Sequence, residues 1–139
     1  MTKREADIFT CFADTVVSPE PLLPPVKSTD AAAFLSEWLG LAPKLNAAGL
    51  RAALVMLDLA PRAMGFRAGL RKLNRADRAG FLQRVEKHKA PAVRQAVKAL
   101  KGIAFLCYYG DDSLMKRLGY DADANVARAR ALRTTEGRP

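Results

Sequence analysis

Apolar residues recur along this chain at three- and four-residue intervals. No segment alternates apolar with polar at the period of two that a half-buried strand requires. The pattern predicts helices almost throughout. The first runs from about Glu5 to Val17, with Ile8, Phe9, Phe12 and Val16 as its apolar stripe. It stops at Ser18-Pro19, because the residue before a proline avoids helical backbone angles. Prolines 19, 21, 24 and 25 then predict a stiff, extended arm over residues 19–27. Leu22, Leu23 and Val26 predict that this arm lies along an apolar surface.

Ser28-Thr29-Asp30 supplies N-cap residues for a second helix through Ala31, Phe34, Leu35, Trp38 and Leu39, closed by Gly40 and Pro43. A third helix is predicted from Asn46 to about Leu59, with Pro61 and Gly65 breaking it. Only Arg51 and Asp58 are charged within it, so it reads as the central helix, buried on most sides. A short helical turn follows at Leu70–Leu73. Asn74, with Asp77 three residues on, resembles a capping box opening a helix that holds Phe81, Leu82 and Val85 and ends near His88-Lys89.

Pro91 suits the first position of the next helix, whose stripe of Val93, Val97, Leu100, Ala104 and Cys107 has 4-3-4-3 spacing. Arg94, Lys98 and Lys101 run one residue later as a basic flank. A short helix over Ser113–Leu118 and a turn at Gly119-Tyr120-Asp121 follow. Residues 122–139 read as a frayed helix and polar tail. The expected fold is therefore all-α, a small single-domain bundle of five to six helices over residues 1–121, carrying a proline-rich arm.

The 139 residues fit one domain. The net charge of +9 changes the picture because of where it sits. Residues 61–110 hold 12 of the 23 basic side chains and only two acidic ones. Such a block attracts nucleic acid, an anionic membrane or an acidic partner, or simply forms a solvated face. No apolar run approaches the roughly 20 residues of a membrane span. The opening Met1–Asp7 turns acidic before any apolar core, which is unlike an export signal and predicts a cytoplasmic location. Cys11 and Cys107 sit in apolar helical patterns and read as small hydrophobes rather than a disulfide.

Catalytic chemistry finds little to use. His88, between Lys87 and Lys89, reads as an exposed helix-end residue. No Cys-x-x-Cys pair or cluster of ligands supports a metal or haem, and Gly65-Phe66-Arg67-Ala68-Gly69 lacks the strand and Lys-Ser/Thr of a phosphate loop. Asp111-Asp112 reads as the cap of the helix at Ser113. The chain therefore reads as non-catalytic alone. Phe105, Tyr108, Tyr109 and Tyr120 gather in sixteen residues with Leu114, Met115 and Leu118, a composition that recurs at protein–protein interfaces. Nucleic-acid binding through Arg94, Lys98 and Lys101 is the alternative, disfavoured by the apolar end of that helix.

Several pieces of the chain carry a resemblance. Leu73-Asn74-Arg75-Ala76-Asp77-Arg78 opens a helix; Cys107-Tyr108-Tyr109-Gly110-Asp111-Asp112 and Leu118-Gly119-Tyr120-Asp121 follow the long one. Phe12-Ala13-Asp14-Thr15-Val16-Val17 precedes the proline arm. Together, over about residues 8–121, these resemble the gluconate 2-dehydrogenase subunit 3-like family. They also resemble the helical region before the flavin domain of long-chain alcohol oxidases. The resemblance implies an accessory subunit that binds and stabilises or matures a large FAD-containing glucose–methanol–choline-type oxidoreductase acting on CH–OH donors, with a cytochrome as a further subunit in some complexes. It implies that FAD belongs to the partner and that this chain binds no cofactor. It assigns partner contact to Tyr108, Tyr109 and Tyr120, and tight turns to Gly110 and Gly119. Gly110 stands where serine is common in the family. The twin-arginine signal of many relatives is absent here, so a periplasmic location is expected only through export with a signal-bearing partner.

Overall fold

The computed structural model describes residues 1–19 and 21–135. Among them the chain forms seven helices and no strand. These are α1 (Lys3–Val17), α2 (Ala31–Leu41), α3 (Lys44–Ala63), α4 (Arg75–Glu86), α5 (Pro91–Tyr109), α6 (Asp112–Arg117) and α7 (Ala122–Thr135). Short 3₁₀ turns lie at Val26–Ser28 and Leu70–Lys72. The protein is all-α, as the periodicity predicts, and residues 1–121 hold six of the helices, the upper expectation. α7 is a regular helix in which no residue is buried. The predicted polar tail at 136–139 lies outside the described residues.

The first helix is the hub, and this corrects the expectation for the third. α1 packs against α2, α3, α4, α5 and both 3₁₀ turns. Ile8, Phe9, Phe12 and Ala13 are fully enclosed there. α1 begins two residues earlier than predicted because Thr2 and Glu5 close a capping box. The Thr2 hydroxyl accepts from the Glu5 amide at 3.2 Å, and the Glu5 carboxylate accepts from the Thr2 amide at 2.7 Å. Glu5 also accepts from Arg51 Nε at 2.8 Å, which ties α1 to α3. Burial opposes this ionisation less than the Arg51 hydrogen bond favours it, so the Glu5 carboxyl is held below its ordinary range.

α3 lies at the edge instead of the centre. It buries only Leu54, Leu57, Asp58 and Pro61, while Leu45, Met56 and Leu59 face solvent. It also runs through Pro61 to Ala63, one turn beyond the predicted break. Proline at this point costs one amide of a final turn, and its carbonyl is still used by the amides of Met64 and Phe66.

Charged side chains join the layers. Asp58, almost fully enclosed, accepts from the Arg71 amide and from Arg71 Nε and Nη2 at 3.3, 3.1 and 3.0 Å, with Arg4 at 3.5 Å. Gly69 passes so close that a Cβ there would lie 2.5 Å from the Asp58 carbonyl oxygen. From α4, Arg75 donates to the Asp14 carbonyl and the Ser18 hydroxyl, and Arg78 to the Cys11 carbonyl. These guanidinium groups meet the C-terminal end of α1, where the helix dipole is negative. Ser18 caps that end in a left-handed conformation, φ 47°.

Candidate functional site

Asn74 and Asp77 open α4 as predicted: the Asn74 Oδ1 accepts from the Asp77 amide at 2.8 Å, and Asn74 Nδ2 donates to the Asp77 carboxylate at 2.9 Å. Pro91 stands at the first position of α5, and its stripe buries Val97, Leu100, Ala104 and Cys107, with Val93 half-buried. The aromatic end of α5 then divides into an inner and an outer part.

Tyr108 is the inner part. It is fully enclosed, and its hydroxyl donates to the Pro24 carbonyl at 2.7 Å. Burial pushes its phenol above the ordinary value. Partner contact through the Tyr108 side chain is therefore corrected to a core role: it holds the proline arm against the bundle. Val26 is buried in the same region and Leu23 half-buried, whereas Leu22 points to solvent at 88% exposure, against the expectation for that residue.

Phe105 and Tyr109 are the outer part. They share a helix face, are 39% and 38% exposed, and stack with ring centroids 6.2 Å apart. Tyr109 also meets Tyr108 edge-on at 5.0 Å. Leu106, Leu118 and Tyr120 are more than half exposed. No ring contact joins Tyr120 to the Phe105–Tyr109 stack among the described residues.

The turns at the two glycines have different causes. Gly119 has φ 78°, a left-handed conformation that costs other residues about 1–2 kcal/mol. Gly110 has ordinary angles, φ −80° and ψ −3°. What it requires is space, because a Cβ would lie 2.6 Å from the Leu106 carbonyl oxygen. Asp111 caps α6 as expected: it accepts from Ser113 Oγ and the Leu114 amide, and additionally from the Asp30 amide of α2's start. The Ser113 hydrogen bond leads the influences that hold its carboxyl below the ordinary range.

Arg94, Lys98, Lys101 and Phe105 line one groove of about 530 Å³, whose far wall includes Glu86. The structure thus brings the basic flank and the aromatic stack onto one face of α5. Much of the positive charge is already engaged. Arg94 donates to the carbonyls of His88 and Lys89 at 2.6 and 3.0 Å, closing the α4–α5 turn. Lys101 pairs with Glu86. Arg71, Arg75, Arg78 and Arg84 of the same basic block likewise hold carboxylates or carbonyls. Lys98 is the member of the predicted trio without such a bond among the described residues.

Reactive chemistry is sparse. Burial pushes the Cys107 thiol up to about 11 and raises Cys11 as well, so neither is a thiolate nucleophile at neutral pH. Among the described residues no group of three His, Cys, Asp or Glu gathers to hold a metal ion. No described helix is long and apolar enough to cross a membrane. Sequence reasoning missed the Asp58–Arg71 pair and the exposed face of α3. The first left one signal, a lone acid in an apolar helix; the second left a 4-3-4 spacing of exposed positions. No family model, curated protein or solved structure matches this chain.

Proposed function

We propose that this protein is a non-catalytic helical subunit that binds and stabilises or matures an FAD-dependent glucose–methanol–choline-type oxidoreductase. The observation that carries the docking role is the Phe105–Tyr109 stack, left open to solvent beside Leu106. Aromatic side chains with apolar bodies and polar tips are the usual anchors of protein interfaces. Leu118 and Tyr120, beyond the α5–α6 turn, are exposed as well. The partner class rests on the residue resemblance. In its favour, two pieces that carry it, the proline arm and the Tyr108-Tyr109 turn, are bonded to each other across 84 positions. FAD and hydride transfer belong to the large subunit in this reading. A compartment follows from that partner: the cytoplasm, or the periplasm if the partner carries the export signal.

The test is purification of the tagged protein from its native cell, with the visible spectrum and composition of the eluate recorded. A yellow eluate holding one stoichiometric flavoprotein is expected. Phe105→Ala/Tyr109→Ala should lose that flavoprotein while keeping the thermal midpoint within a few degrees. A colourless eluate carrying nuclease-sensitive nucleic acid would overturn the proposal and assign the Lys98 groove to phosphate contacts.

A further inference from the structure

The solvent face of α3 repeats a pattern that its buried face does not need. Leu45, Gly49, Ala52, Met56, Leu59 and Ala63 follow 4-3-4-3-4 spacing, and all six are exposed, Leu45 at 84% and Met56 at 65%. That spacing is the seam of a coiled coil. The opposite side of the helix already packs on the bundle through Leu54, Leu57 and Asp58. α3 therefore has two apolar faces, and this chain covers one.

We propose that the second face pairs antiparallel with the same face of a second copy, about a two-fold axis. The order of sizes carries the argument. Read from Leu45, the stripe runs large, small, small, large, large, small. Reversed end to end, it sets Leu45 opposite Ala63, Gly49 opposite Leu59 and Ala52 opposite Met56. Every layer then holds one large and one small side chain, as close packing requires. In parallel order Gly49 faces Gly49 and Leu59 faces Leu59, alternating voids with crowding. A two-fold interface must be self-complementary, and this stripe is so in the antiparallel sense.

Gly49 supports the same pairing. It sits mid-helix with an ordinary φ, and a Cβ there would meet nothing within 4 Å. Within one chain the glycine only weakens the helix relative to alanine. Opposite Leu59 of a second copy, the missing side chain becomes the socket. The flanking Ala48 and Ala53 are also small, so the backbones can approach closely.

Charge selects this face for self-association. Each chain carries +9, and the α5 flank and α7 present arginine and lysine that repel their own copies. The α3 stripe is uncharged, and Arg62 beside it falls next to the second copy's Ala48. From Leu45 to Ala63 the stripe runs about 27 Å. One edge opens into an apolar cleft of about 320 Å³ between α3, α4 and α5, which widens the contact. A strip of that length and about 10 Å wide covers roughly 270 Å² on each copy, and the cleft wall adds to it, which puts the contact in the size class of weak, transient interfaces. Such a dimer is weak and concentration-dependent.

Sedimentation equilibrium of the full chain over ~1–200 μM should show mass rising from 15.1 kDa toward twice that value. Ala52→Glu/Met56→Glu should stay monomeric with an unchanged circular dichroism spectrum, since both positions are solvent-exposed. Ala52→Glu/Met56→Lys should dimerise again, because Glu of one copy then meets Lys of the other. Under mild oxidation a mixture of Gly49→Cys and Leu59→Cys chains should cross-link beyond either alone. A monomer at every concentration, a dimer indifferent to the paired glutamates, or Gly49→Cys cross-linking to itself overturns the proposal. Protection of α3 that appears only when the flavoprotein is added also overturns it. The Ala52→Glu/Met56→Glu chain keeps the α5–α6 face, so its capture of the flavoprotein is scored separately.

Discussion

Tyr108 and Tyr109 are neighbours in sequence with opposite fates. One is enclosed and bonded to the Pro24 carbonyl; the other is stacked on Phe105 at the surface. Tyr108→Phe removes only the hydroxyl and should cost about 1 kcal/mol in urea denaturation, the net value of a typical hydrogen bond. Tyr108→Ala should cost about 3–5 kcal/mol, in the range of buried aromatic truncations. Tyr109→Ala should leave stability nearly unchanged and act on partner binding. The division was not legible in the sequence, because the last turns of α5 are apolar on nearly every side. Which of Phe105, Tyr108 and Tyr109 turns inward depends on where α1 and the arm lie. The Asn74–Asp77 cap was legible because its partners are three residues apart and need no distant chain.

At the scale of elements, local signals predicted ends better than they predicted positions in the bundle. Asn74→Ala should destabilise the protein by about 1 kcal/mol, measured as a shift of the denaturation midpoint, because an orphan amide of α4 loses its acceptor. The stripe of α5 is legible because 4-3 spacing on a long helix leaves one face to bury. The composition of α3 misleads about its place. An alanine-rich, nearly uncharged helix looks buried all round, yet Ala48, Ala52 and Ala63 offer little area to a core. The phenylalanines of α1 offer far more, and α1 took the centre. The single acid of α3 marked the side facing the bundle, because Asp58 finds Arg71 there. That pairing spans loop and helix and leaves no local pattern to read.

For the molecule as a whole, the arginine–carboxylate pairs make stability depend on pH in a definite direction. At Asp58 burial is the largest influence and opposes ionisation, but the combined hydrogen bonds and charge of Arg71 and Arg4 outweigh it, so its carboxyl lies below the ordinary range. Glu5 is lowered likewise. In the unfolded chain both bind protons at higher pH than in the folded one. Their stabilisation is complete above about pH 5 and is lost as pH falls through the lower folded values. Denaturation free energy should therefore drop between about pH 5 and pH 3. Asp58→Asn should start from lower stability and show a shallower drop; an unchanged slope would remove Asp58 from this account. Half of the basic block, so prominent as composition, is spent inside this framework on carboxylates and backbone carbonyls. Charge counting could not separate such cations from those left to a ligand.

The placement of α1 bears on how the chain is made. Its partners α4 and α5 begin at Arg75 and Pro91, and the arginines that hold its C-terminal end are Arg75 and Arg78. During synthesis α1, with Phe9 and Phe12, leaves the ribosome well before any of these exist to receive it. A nascent chain of this protein carries the α4 and α5 side of its central helix uncovered until the second half has been translated. Of the described helices, α1 is the one whose enclosure waits longest on residues that follow it.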